Sequence, residues 1–235
     1  MIILFFSLIV GCFALYVSDY YHADFDAIEA FSAENGVTKT LLSDGVISYG
    51  EADLNVGFIF YPGGKVEYTA YEPLMIELAS RGILCILVEM PFNLAVLDIS
   101  AADGLCELYP EIDRWYIGGH SLGASMAASY LAKNTENFDG IVLLASYSTA
   151  DLSATTLDAL SLYGSEDNVM NREKYEKYKE NLPAALTEIV IQGGCHAYFG
   201  MYGEQEGDGV PTVTAEEQIH ISADYISKFI FEGED

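Results

Sequence analysis

Residues 117–128 read IGGHSLGASMAA, and within them Gly119-His120-Ser121-Leu122-Gly123 has the spacing G-x-S-x-G. In that spacing a serine sits on a sharp strand-to-helix turn, and the small residues Gly119, Gly123, Ala124, Ala127 and Ala128 let the two elements approach closely. A serine held this way is a nucleophile for acyl transfer if a base takes its proton. The bland use of the same residues is a plain turn with Ser121 capping a helix. Four histidines are available as base. His22 borders an apolar run, His120 is too near Ser121 in sequence to turn onto its hydroxyl, and His220 falls on a C-terminal helix pattern. That leaves His196, in Gly193-Gly194-Cys195-His196-Ala197 just past an apolar strand. A base needs a carboxylate to orient it. Asp167, in Gly164-Ser165-Glu166-Asp167 at the end of another strand, is favoured, with adjacent Glu166 as competitor. Negative charge developing on a substrate oxygen needs preorganised donors. The N–H of Leu122 is one candidate. The other comes from Pro62-Gly63-Gly64-Lys65, at Gly64 or alternatively Lys65. Glu89, at the end of a strand, is a candidate substrate-binding residue or a support for Lys65.

These residues need elements to carry them. Thr38–Leu42 and Val46–Tyr49 flank the turn Ser43-Asp44-Gly45 and predict a hairpin. Val56–Tyr61, Ile83–Val88, Trp115–Ile117, Gly140–Ala145, Leu157–Tyr163 and Ile189–Ile191 read as strands. Asp24–Glu34, Ala70–Arg81, Leu122–Lys133 and Arg172–Asn181 read as helices, Leu94–Leu108 as mostly helical with a break at Gly104, and Thr214-Ala215-Glu216-Glu217 is a capping box opening a last helix to about Phe231. Strands apolar on both faces, alternating with helices, predict an α/β fold with a mostly parallel sheet covered on both sides. Ligands of such sheets bind beyond the carboxyl ends of the strands, which is where every candidate residue falls. Only Ser148–Thr156 separates two of the strands, so no large lid domain is expected there. The glycine-rich loop Tyr198–Val210 is the segment expected to fold over the mouth instead.

The chain has 235 residues, with 36 acidic against 10 basic and a net charge of −26. Such a surface repels phosphate backbones, so nucleic acid is not an expected partner. Residues 1–17 are an apolar run interrupted only by Ser7 and Gly11. They are read as an uncleaved membrane anchor with Tyr16, Tyr20 and Tyr21 at the interface, or alternatively as a cleaved signal peptide. The protein is then expected to be membrane-anchored with its domain outside the cytoplasm, or secreted. Residues 18–35 form a linker helix on this reading, and residues 36–235 the domain. Of the four cysteines, Cys12 lies in the apolar run, and Cys85, Cys106 and Cys195 have no zinc-like spacing. No metal and no organic cofactor is implied.

The stretches FIFYPGGKVEYTAY, LVEMPFNLAVLD, IGGHSLGASMAA, LYGSEDNV and IQGGCHAYFGMYG resemble, in order, the blocks of small lidless α/β-hydrolases of the fold-five or dienelactone-hydrolase-like kind, from about Gly57 onward. The resemblance implies the α/β-hydrolase fold and a catalytic set of Ser121, Asp167 and His196 in the chain order Ser…Asp…His. It also implies a hole near Leu122 and Gly64 or Lys65. Dienelactone hydrolases proper use a cysteine nucleophile where this chain has Ser121, which favours a serine carboxylesterase acting on a small-molecule ester. A thioesterase, peptidase or acyltransferase would use the same residues. A catalytically silent binding module on a membrane stalk is the reading from a different class.

Overall fold

The computed structural model describes residues 2–33, 35–51 and 55–232. Its eight strands are β1 (Lys39–Ser43), β2 (Val46–Tyr49), β3 (Val56–Tyr61), β4 (Leu84–Val88), β5 (Arg114–His120), β6 (Gly140–Leu144), β7 (Asp158–Gly164) and β8 (Ala185–Ile191). They form one sheet in the order β1-β2-β4-β3-β5-β6-β7-β8. The hairpin β1–β2 pairs antiparallel with itself and with β4, and every other pairing is parallel. A strand buried at every residue must send alternate side chains into two different cores. β3 does so: Phe58 and Phe60 enter one apolar cluster, Ile59 and Tyr61 the other.

The helices are α1 (Ile2–Ser18), α2 (Phe25–Ala33), α3 (Glu72–Ser80), α4 (Leu122–Leu131), α5 (Arg172–Tyr178) and α6 (Ala215–Glu232). They supply the two covering layers, except α1, whose described side chains are almost all exposed. Leu74 and Leu78 of α3 and Ile219 and Ile226 of α6 pack with Phe58 and Phe60. Ala124, Ala127 and Ala128 of α4 pack with Ile59 and Tyr61 on the opposite face. The capping box forms as the sequence predicts. The Glu217 N–H donates to Thr214 Oγ1 at 3.1 Å, and the Thr214 N–H donates to Glu217 Oε2 at 2.8 Å. No large lid interrupts the sheet: the connection from β6 to β7 contains no helix or strand.

Chain direction across the sheet reverses at β3. The chain steps from β3 to β4 on one side, then returns to place β5 on the other and continues outward to β8. Loops leaving β3 and β5 therefore diverge and open a crevice at their carboxyl ends, the switch point at which open α/β sheets bind ligands. Pro62–Lys65 and Ser121 lie in those two loops.

The structure bears on three further expectations. Residues 2–18, within the run read as an anchor or signal segment, are helical, and the 17 residues of α1 span about 25 Å at 1.5 Å per residue. Among the described residues no helix is long and apolar enough to cross a membrane. α2 is no linker. It buries Ile28 and Phe31 in the core beside Tyr71 and Leu74, and Tyr21 ahead of it is tied by backbone hydrogen bonds to Lys65 and Glu67. Leu94–Leu108, expected to be helical, holds only short 3-10 turns at Ala95–Leu97 and Cys106–Leu108. Asp98 sits at φ −147°, ψ 74° and Gly104 takes a positive φ, so no right-handed helix runs through the segment.

Candidate active site

β5 runs into α4 through Ser121, whose backbone sits at φ 51°, ψ −118°. A non-glycine residue there is strained by roughly 1–3 kcal/mol, so its surroundings must hold it. The Ser121 N–H donates to the Leu144 carbonyl at 2.9 Å, and Ser146 Oγ donates to the Ser121 carbonyl at 2.7 Å. Ala145, beside that clamp, also has a positive φ of 48°. The turn is this tight because its glycines touch the backbone of β3 and the loop after it. A Cβ on Gly119 would strike the Tyr61 carbonyl, and one on Gly123 would strike the carbonyls of Tyr61 and Pro62. Ser121 is half-buried, makes no side-chain cap to its own helix, and opens onto a cavity of about 250 Å³.

His196 lines the same cavity. It comes from the far edge of the sheet, since β8 stands three strands beyond β5, about 14 Å at the usual strand spacing. The loop after β8 covers that distance by crossing directly over the end of β7. Gly164 has no side chain, and a Cβ there would collide with the backbone of Gly194 and Cys195. The Glu166 N–H donates to the Gly194 carbonyl, and Gln218 of α6 holds the backbone of Cys195 from both sides, accepting from its N–H and donating to its carbonyl at 2.9 Å each. Cys195 itself is buried, and burial pushes its thiol up to about 12, with Asp208 adding in the same direction.

The Asp167 carboxylate accepts the Val169 and Met170 N–H groups on Oδ1, at 2.9 and 2.8 Å, and lies 3.0 Å from His196 Nδ1 through Oδ2. Both side chains are almost wholly buried. An acceptor-only carboxylate facing Nδ1 fixes the proton there and leaves Nε2 as the proton acceptor. Glu166, the competitor in sequence, instead takes a hydrogen bond from Ser165 Oγ.

The Leu122 N–H begins α4 with no acceptor among the described residues. Gly64 lies against that residue: a Cβ on Gly64 would sit 2.9 Å from Leu122 Cδ2. The Gly64 N–H likewise donates to no described residue. Two other candidates are corrected, Lys65 first. Its N–H is used by the Asn93 carbonyl at 2.7 Å, and its ammonium pairs with Asp19 at 2.8 Å and lies over the Tyr16 ring. Glu89 is exposed and packs over Gly45 in the β1–β2 turn, away from the cavity, because its own N–H pairs with the Gly45 carbonyl. Loop 198–210 does not cover the mouth. Asp208 turns it inward, accepting the N–H groups of Ala197 and Asn168 at 2.9 and 3.3 Å, so the loop braces the segments that carry His196 and Asp167.

Sequence reasoning missed Ser146, Asp208 and Gln218. Each acts on backbone far away in the chain, and nothing in its local pattern marks it. Among the described residues no group of three or more histidine, cysteine or acidic side chains could hold a metal ion. Gly164→Ala is expected to lift the β8 loop off β7 and lower kcat by about 100-fold, the usual cost of a misplacement of about 1 Å. Circular dichroism should show the fold retained; unchanged kcat would disprove the crossing as the device that delivers His196.

A crystal structure described as a predicted CIB-like hydrolase from Thermoplasma acidophilum superimposes with a TM-score of 0.57 at 13% identity, covering 82% of this chain and 99% of that one. At that identity the likeness speaks for the fold alone. No curated protein matches the chain. The sequence profile of the alpha/beta hydrolase family matches residues 57–220, from β3 into α6. With most of its length matched, and with the sheet order and switch-point crevice described above, the chain belongs to the alpha/beta hydrolase family.

Proposed function

We propose that the protein is a serine hydrolase that cleaves carboxylic esters through an acyl-enzyme on Ser121. The observation that carries the reading is the convergence of three loops on one cavity. Strained Ser121 opens onto it, His196 lines it, and Asp167 backs His196 at 3.0 Å. In the proposed reaction Ser121 Oγ attacks the ester carbonyl while His196 Nε2 takes its proton. Asp167 steadies the imidazolium, and the N–H groups of Leu122 and Gly64 bind the oxyanion. His196 then returns the proton to the leaving alcohol, and a water activated by the same nitrogen releases the acid. Every protein group in that reaction is a side chain or backbone group of the chain itself.

The cavity favours a short, uncharged acyl group. Its volume is about 250 Å³, and its walls, among them Ser125, Tyr147 and Met170, include no Asp, Glu, Lys or Arg. A carboxylate on the substrate would find no cationic partner there and would enter against a net charge of −26.

The test pairs fluorophosphonate labelling of the full chain with a panel of esters. The expected result is an adduct on Ser121 that disappears in His196→Ala, with p-nitrophenyl acetate and butyrate cleaved faster than the palmitate or a hemisuccinate ester. An acyl thioester and an aminoacyl amide in the same panel compare the thioesterase and peptidase activities directly. No adduct on folded protein would overturn the reading.

A further inference from the structure

His120, set aside as a base because of its place beside Ser121, has a different use. Its ring is 1% exposed and Nδ1 lies 2.8 Å from Tyr71 Oη, itself fully buried in the 3-10 turn Tyr68–Tyr71 that follows the Pro62–Lys65 loop. Tyr71 Oη in turn accepts the Gly63 N–H at 3.1 Å. A Cβ on Gly63 would sit 2.6 Å from Tyr71 Oη and 2.7 Å from His120 Nδ1, so only glycine lets the loop close onto the pair. The chain Gly63–Tyr71–His120 thus runs from the hole loop to the residue before the nucleophile. The other face of His120 meets the His196 ring, centroids 4.6 Å apart, and the Phe199 ring at 5.5 Å. Nε2 of His120 is buried without a hydrogen-bond partner among the described residues. An unpartnered buried polar group is rare and is retained against a cost.

We infer that Tyr71 and His120 are positioning residues for the oxyanion hole, tying Gly63 to the elbow so that the Gly64 N–H is held beside the Leu122 N–H before substrate arrives. This rests on the proposed acyl-enzyme chemistry at Ser121. The physical need is plain. Hole donors act only if they are already aimed where the oxyanion will form, and Gly63 and Gly64 are a backbone with no side chains of their own to hold it. Burial suits both tying groups to the task. It drives the Tyr71 hydroxyl far above the usual phenol range and His120 well below the usual imidazole range, the nearby His196 adding to the latter. The tie therefore stays uncharged, and no second cation stands against His196 when it becomes an imidazolium.

The test uses the full chain and begins with wild type, for which Ser121 labelling and ester hydrolysis must both be seen. Tyr71→Phe and His120→Ala are then expected to lower kcat roughly 10- to 100-fold with KM within about twofold, less than the 10²–10³ of deleting a hole donor outright. Affinity for a trifluoromethyl ketone, which forms the tetrahedral adduct, should fall in parallel with kcat. The double variant should be no worse than the weaker single one. His120→Asn, whose amide offers either an oxygen or an N–H at the Nδ1 position, should recover at least fivefold over His120→Ala, and Gly63 amide exchange should quicken in Tyr71→Phe. Wild-type kcat in both single variants would overturn the inference alone. So would losses that track melting temperature while ketone affinity is kept, or an asparagine that rescues nothing. A wild type without labelling or hydrolysis would instead remove the reading at Ser121, and the inference with it.

Discussion

On the proposed reading, Ser121→Ala is expected to lower kcat by at least about 10⁴-fold and to leave substrate binding nearly untouched. Removing the nucleophile of a serine triad forfeits the covalent step and leaves only what the hole and the binding surface supply. The structure predicts more than a loss of rate. Ser121 is held at φ 51° by the Leu144 carbonyl and by Ser146 Oγ, both of which act on its backbone. Alanine takes the same conformation at no greater strain, since both residues carry a Cβ. Thermal unfolding of Ser121→Ala should therefore stay within a few degrees of wild type while turnover of p-nitrophenyl butyrate vanishes. A variant that keeps more than a hundredth of wild-type kcat would show that the reaction does not pass through this oxygen.

Asp167→Asn is expected to lose about 10³- to 10⁴-fold in kcat, and the hydrogen bonds around the carboxylate give the reason. Oδ1 faces two backbone donors, the N–H groups of Val169 and Met170. An asparagine must put its oxygen there, because its NH₂ would face two donors with none to accept. The amide nitrogen is thereby forced toward His196 Nδ1, the position of Oδ2 in the carboxylate. Nδ1 then has to accept, the ring proton moves to Nε2, and the base presents a proton to Ser121 instead of a lone pair. The expected result is a folded protein with dead chemistry, read as kcat beside an unchanged circular dichroism spectrum. Glu166→Gln is the companion control and should stay near wild type, since among the described residues that side chain bonds to Ser165 alone. Comparable losses in both variants would mean that the acidic loop as a whole, and not the Asp167–His196 pair, sustains activity.

These expectations connect to the sequence unevenly. The Ser121 turn, the two glycine-bearing loops after β3 and β8, and the capping box at Thr214 were readable because each is decided within a few residues. A positive-φ nucleophile needs glycine and alanine beside it, and a cap needs its glutamate three residues on. The mostly parallel sheet was readable for a related reason. Strands such as Val56–Tyr61 and Gly140–Leu144 carry no polar face, and only a doubly covered sheet buries both sides of them. The choice of His196 followed from elimination among four histidines, and that of Asp167 from its place after a strand.

What lay outside the sequence's reach involves contacts between segments far apart in the chain. Whether Lys65 offers its N–H to a substrate depends on Asn93, and whether Glu89 reaches the site depends on the turn at Gly45. The loop 198–210 turns inward because Asp208 finds the free N–H groups of Ala197 and Asn168. His196 reaches the elbow from three strands away only because Gly164 lets another backbone cross it, and His120 meets Tyr71 only once β5 lies beside β3. Local patterns set torsion angles and apolar faces, and these the sequence determined by itself. Which buried polar group finds which partner is decided by the packed tertiary structure, because a hydrogen bond extends only about 3 Å and the chain brings its ends together across the whole sheet.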